Sequence, residues 1–169
     1  RRRSEWKNKR ECQSNRKVKE IMFEYNFKLR KIVDGDTIDV DIDLGFGVWL
    51  KKQRIRMMGI DTPESRTSDD EEKVYGLLAK QRLTTLLADA KVLKTYNDER
   101  GKYGRILGEV ICYFAAEDRW AGSSEIMISE GHGVAYHGQS KDDIAEEHLA
   151  NRLKLKASGL VNKEWYLSW

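Results

Sequence analysis

One stretch constrains the fold more than any other. In "VDGDTIDVDIDLG", residues 33–45, apolar and acidic residues alternate without a break from Ile38 to Leu44. A period of two is a strand with one face in a core and the other in water. Ile38, Val40, Ile42 and Leu44 are therefore assigned to the core, and Asp39, Asp41 and Asp43 to solvent. Asp34-Gly35 ahead of this strand is a turn signal. Another strand precedes it, from Met22 to Val33, with Phe23, Tyr25 and Phe27 alternating against polar residues. Gly45 and Gly47 end the alternating strand, and "VWLKKQRIRMMGI" (48–60) resumes as a third.

The rest of the chain supplies two more strands and three helices. Residues 71–90 carry Ala79, Leu83, Leu86, Leu87 and Ala90 at helical spacing. Gly76 inside that helix costs about 1 kcal/mol relative to alanine, and close packing on the barrel is a reason to tolerate it. "KVLKTY" (91–96) and "RILGEVICYF" (105–114) read as strands around a polar turn. Residues 123–130 form a short helix stopped by Gly131. Residues 141–157 form a charged helix with Ile144, Leu149, Leu153 and Leu155. Five strands broken by glycine turns close most economically into a small barrel, which leaves few open edges.

Composition excludes several classes. At 169 residues, 40% apolar and 35% charged, the chain suits one globular domain with a moderate core. It has no run of eighteen apolar residues, so no spanning helix and no membrane partner are expected. Cys12 and Cys112, with no CxxC, give neither a disulfide framework nor a zinc site. Residues 1–20 hold nine Lys/Arg and three Glu against a whole-chain net charge of +3. The organisation read from this is a basic N-terminal arm, 1–20, and a folded domain, 21–169. Such an arm suits phosphate neutralisation, and it equally suits a solvated terminus.

The aspartates raise the question of a metal. A calcium-binding EF-hand loop fails in both registers: from Asp39, position six is Leu44 and position twelve Leu50. Asp36, however, shares parity with Ile38 and Val40, so it points inward at a strand end. A carboxylate there needs donors or a cation; the alternative is a turn-capping aspartate. In "RIRMMGIDTPE" (54–64), Ile55, Met57 and Gly59 form one face and Asp61 continues it, with Arg56 opposite. Two inward carboxylates and a nearby carbonyl would make a hard site for Ca²⁺ or Mg²⁺. Asp-Thr-Pro-Glu is equally a helix-capping sequence. His132, His137 and His148 are not read as catalytic, and His148, mid-helix, is read as packing or capping locally. Trp49, Trp120, Trp165 and Trp169 are read as core or tail anchors.

"DGDT" (34–37), "RMMGIDTPE" (56–64) and "KYGR" (102–105), in this order, resemble the staphylococcal nuclease (thermonuclease) family, as do "EEHL" (146–149) and Trp165. The similarity runs from about residue 22 to the end. It implies an α+β fold, a five-stranded OB-fold β-barrel with three helices. It also implies a calcium-dependent nuclease that cuts DNA and RNA to leave 3′-phosphates, with Mg²⁺ or Mn²⁺ as other ions for an oxygen-only site, and a monomer is expected. Carried over by position, Asp36, Asp61 and the carbonyl of Thr62 hold the metal. Glu64 is the general base, and Arg56 and Arg105 meet the scissile phosphate. Lys102, Tyr103 and Tyr136 flank the nucleotide. A second family tyrosine falls on Gly138, which puts base stacking in doubt. A noncatalytic nucleic-acid-binding barrel is the other reading.

Overall fold

The computed structural model describes residues 22–90, 92–100 and 104–161. The basic arm, Cys12, Lys102, Tyr103, Trp165 and Trp169 lie outside the described residues. In chain order the elements are β1 (Met22–Asp34), β2 (Thr37–Asp43), β3 (Trp49–Met57), β4 (Ile60–Asp61), α1 (Asp70–Leu87), β5 (Val92–Arg100), β6 (Ile106–Phe114), β7 (Arg119–Gly122), α2 (Ser123–Ser129), β8 (Val134–Ala135) and α3 (Lys141–Ala157).

β1 pairs antiparallel with both β2 and β5, β2 with β3, and β5 with β6. A parallel pairing of β3 with β6, Ile55 opposite Ile106, closes the five strands into a barrel. The fold is the expected α+β barrel with three helices. β7 adds to β6, and β4 pairs with β8 in a separate two-stranded ladder. The core is built from the predicted apolar face: Ile38, Val40, Ile42, Ile55, Met57, Leu93 and Val110 pack with Ala79, Leu83 and Leu87 of α1. Asp69 caps α1, accepting from the N–H groups of Glu71 and Glu72. Ser140 and Asp143 make a capping box at α3.

Several expectations are corrected. Asp41 is buried rather than solvated, at 4% exposure. Its neighbours on both sides are bulged. Arg30 is the extra residue of β1, and Lys51 and Lys52 together oppose Asp41 in β3, with Lys52 at φ +54. The bulges fold donors over the carboxylate. Arg30 binds both its oxygens, Lys51 binds at 3.2 Å, and the Lys52 N–H donates at 2.9 Å. Asp39 and Asp43 stay outside as expected. Leu44 is exposed because the alternating strand ends at Asp43. On α3 only Ile144 and Leu155 are buried; Leu149 and Leu153 face outward. Trp120 is exposed against Tyr113, and Trp49 is partly covered by the ammonium groups of Lys28 and Lys51.

Candidate active-site cleft

Three strand ends and one loop meet at one rim of the barrel. The β1–β2 turn brings Asp34 and Asp36. Thr37 opposes Arg56 across β2–β3, and the parallel β3–β6 seam brings Arg105 beside it. Two glycines let the pieces come together. A Cβ on Gly35 would lie 2.8 Å from the Ala79 Cβ and 2.9 Å from the Thr62 Oγ1. A Cβ on Gly76 would lie 2.5 Å from the Glu64 carbonyl carbon and oxygen. The helical glycine is thus explained: α1 lies directly against the backbone of the 64–65 loop.

Asp61 reaches the rim by a different route from the one its parity implies. β3 stops at Met57, and Gly59 at φ +76 resets the chain. Ile60 then enters the core, and Asp61 is left half-buried, facing the cleft.

The charges are tightly organised. Arg56 spans two carboxylates, its Nη1 2.6 Å from Asp36 Oδ2 and its Nη2 3.3 Å from Asp61 Oδ1. Asp36 also accepts from the Thr37 hydroxyl at 2.8 Å and from the Thr62 N–H at 3.3 Å. Burial still dominates and pushes its carboxyl above the usual range, with Arg56 pulling the other way. Asp34 accepts from the N–H and the hydroxyl of Ser65, which ties the loop to the β1–β2 turn. The Thr62 hydroxyl is buried without a partner among the described residues. Glu64 is also held above the ordinary glutamate range. Shielding from solvent is the main cause, followed by the charges of Asp34 and Asp36, against a pull from Lys141. Asp36, Asp61, Glu64, Arg56, Arg105 and Tyr136 all line one open, polar cleft of about 510 Å³.

A family model described as "Staphylococcal nuclease homologue" matches residues 54–158, more than half of the chain. The chain belongs to the staphylococcal nuclease family. A protein named "Micrococcal nuclease" from Shigella flexneri is 31% identical over 144 residues, covering 80% of this chain and 75% of that protein. An "Uncharacterized endonuclease" of Escherichia coli is 38% identical over 130 residues, 77% of this chain and 72% of its own length. The "Thermonuclease" of Staphylococcus hyicus is 36% identical over 88 residues, 52% of this chain and 48% of its own. The match therefore spans about half of that thermonuclease. The family-model match contains Arg56, Asp61, Thr62, Glu64, Arg105 and Tyr136, whereas Asp36 precedes it.

One residue at this cleft departs from the sequence expectation. His148 pairs outside its own helix rather than only packing or capping within it. Its Nε2 lies 3.1 Å from Asp61 Oδ2, so Arg56 and His148 grip the two oxygens of one carboxylate. The signal that could have found it is its helical spacing from Ile144, which turns both toward the barrel.

Proposed function

We propose that the protein is a divalent-metal-dependent nuclease that hydrolyses phosphodiester bonds of both DNA and RNA in this cleft. The observation that carries the reading is the convergence of Asp36, Asp61, Glu64, Arg56 and Arg105 on one solvent-open cleft of the barrel rim. Names of relatives from several bacteria support the same activity.

The donor set fits a hard cation. Asp36 and Asp61 face the same guanidinium, both offer only oxygen, and burial leaves the Asp36 charge undercompensated. Among the described residues no three His, Cys, Asp or Glu groups form a ready-made cage. Asp36, Asp61 and the Thr62 carbonyl would hold the ion, with water and substrate oxygens completing its shell. Bound there, a Ca²⁺, Mg²⁺ or Mn²⁺ ion supplies charge stabilisation to the phosphate under attack.

The chain's own groups do the rest. Glu64 accepts the proton of the attacking water; its raised carboxyl is a stronger base than an ordinary glutamate once ionised. Attack at phosphorus in line with the 5′ oxygen breaks the P–O5′ bond, leaves a 3′-phosphate, and releases the 5′ oxygen as a hydroxyl that takes its proton from solvent. Negative charge grows on the phosphoryl oxygens, and Arg56 and Arg105 meet it with planar, bidentate donors. Arg56 must share its present carboxylate pairing with the substrate. Tyr136 offers a face to the adjoining base.

The test is cleavage of labelled single-stranded DNA and RNA with Ca²⁺, then with chelator, then by Glu64→Ala and Arg105→Ala. Each variant is expected to lower turnover about 10²–10³-fold, the range for losing one preorganised group. Activity should rise with pH through the raised Glu64 range. Salt-sensitive binding with no cleavage under any divalent ion would replace this reading with a noncatalytic binding barrel.

A further inference from the structure

The cleft continues past Glu64. A second groove of about 330 Å³ opens between the 61–64 loop, the start of α1 and one face of α3. Asp61, Glu64 and Lys141 line both spaces, so the two adjoin. The groove is acidic only where it meets the cleft and α1. Its α3 wall carries Lys141, His148 and Arg152. His148 is committed to Asp61, which leaves the other two.

Lys141 breaks a local rule. It is the first residue of α3, where the helix dipole favours anions, and the next two positions obey with Asp142 and Asp143. It makes no ion pair among the described residues, although Glu64 is close enough to feel its charge. Departures of this kind concentrate where a ligand repays them. Arg152 stands about 16 Å further along the helix axis, its guanidinium 5.6 Å from the centre of the Tyr75 ring. Its Nε is buried without a partner among the described residues.

We propose that this groove carries the nucleic-acid strand away from the reacting bond: Lys141 holds the neighbouring phosphate, and Arg152 one further along. The proposal rests on the nuclease reading for its substrate, and it makes chain length a determinant of binding. A lone monophosphate in the cleft offers no neighbouring phosphate to Lys141 and does not extend to Arg152.

The experiment separates this from catalysis by measuring binding in chelator, where no bond is cut. The ligands are a fluorescent oligothymidylate and thymidine 3′-monophosphate, titrated over a range of salt. Lys141→Gln should weaken oligothymidylate about fivefold and make its log–log salt slope shallower by about 0.7, the value for one lost phosphate contact on a single strand. Arg152→Gln should do the same, with a thermal melt confirming that Tyr75 still packs. Lys141→Glu should weaken binding further. Affinity for the monophosphate should change less than twofold. Equal losses on both ligands, or an unchanged slope, would overturn the subsite. Wild-type protein that cuts strands while Lys141→Gln keeps its slope would sink this proposal alone. Protein that never cuts, yet shows the length-dependent loss, would sink the nuclease reading and leave the subsite standing.

Discussion

Asp36 and Asp41 lie close together in sequence, and both are buried, yet they are opposite kinds of site. Asp41 has more positive charge around it than it needs. Arg30, Lys51 and the Lys52 N–H hold its carboxyl well below the usual range, the Arg30 hydrogen bonds being the largest cause. Asp36 has less than it needs. Arg56 is shared with Asp61, and burial raises its carboxyl despite three donors. A satisfied buried charge locks two bulged strands together. An undersupplied one, open to a polar cleft, is where the proposed function puts the cation. Counting acidic residues does not separate the two; counting the donors that reach each one does.

The largest test of that contrast swaps charge for amide. Asp36→Asn should lower metal-dependent cleavage by about a hundredfold or more, since several kcal/mol of charge stabilisation leave with the ion. Its melting temperature at neutral pH should hold or rise. Asp41→Asn should leave cleavage nearly intact and lower the melting temperature. Acid titration sharpens this, because the two shifts have opposite signs. The raised Asp36 carboxyl stabilises the fold below its unfolded pKa, and this contribution disappears as pH rises through the folded value. The lowered Asp41 carboxyl stabilises above its unfolded pKa and loses this as pH falls through the folded value. Melts of wild type and both variants across acidic pH should diverge accordingly; parallel curves would break the comparison.

A smaller effect is expected at Gly76. Alanine normally favours a helix by about 1 kcal/mol, but here its Cβ would strike the Glu64 backbone. Gly76→Ala should displace the 64–65 loop and reduce turnover about 10–100-fold, as sub-ångström to ångström misplacement of a catalytic group does. Single-turnover cleavage beside a thermal melt would measure both. The smallest expected effect is at His148. His148→Ala should weaken Ca²⁺ binding about tenfold by freeing one oxygen of Asp61. His148→Gln should restore part of it, read by calorimetry without substrate.

Much of this was legible in the sequence where side chains obey local periodicity. Ile38, Val40 and Ile42 went to the core, and Asp36 went inward at the strand end. Asp61 reached the cleft for a reason that parity missed, because the left-handed Gly59 shifts the phase between β3 and β4. Asp41 was misread because its partners arrive through bulges in two neighbouring strands, and bulges leave no mark on β2 itself. His148 was missed because its partner lies in another element far away in the chain. The α3 leucines show the limit of apolar counting: a helix that touches the barrel along a narrow strip buries Ile144 and Leu155 and leaves Leu149 and Leu153 outside.

The β3–β6 seam has a consequence for the life of the chain. It is the only parallel pairing among the described strands, and its residues are separated by roughly fifty positions of intervening polypeptide. Arg56 and Arg105 become neighbours only when that seam zips. A nascent or half-folded molecule therefore holds these two arginines apart, and on the proposed function cleavage is expected to begin only with barrel closure rather than to grow gradually during synthesis.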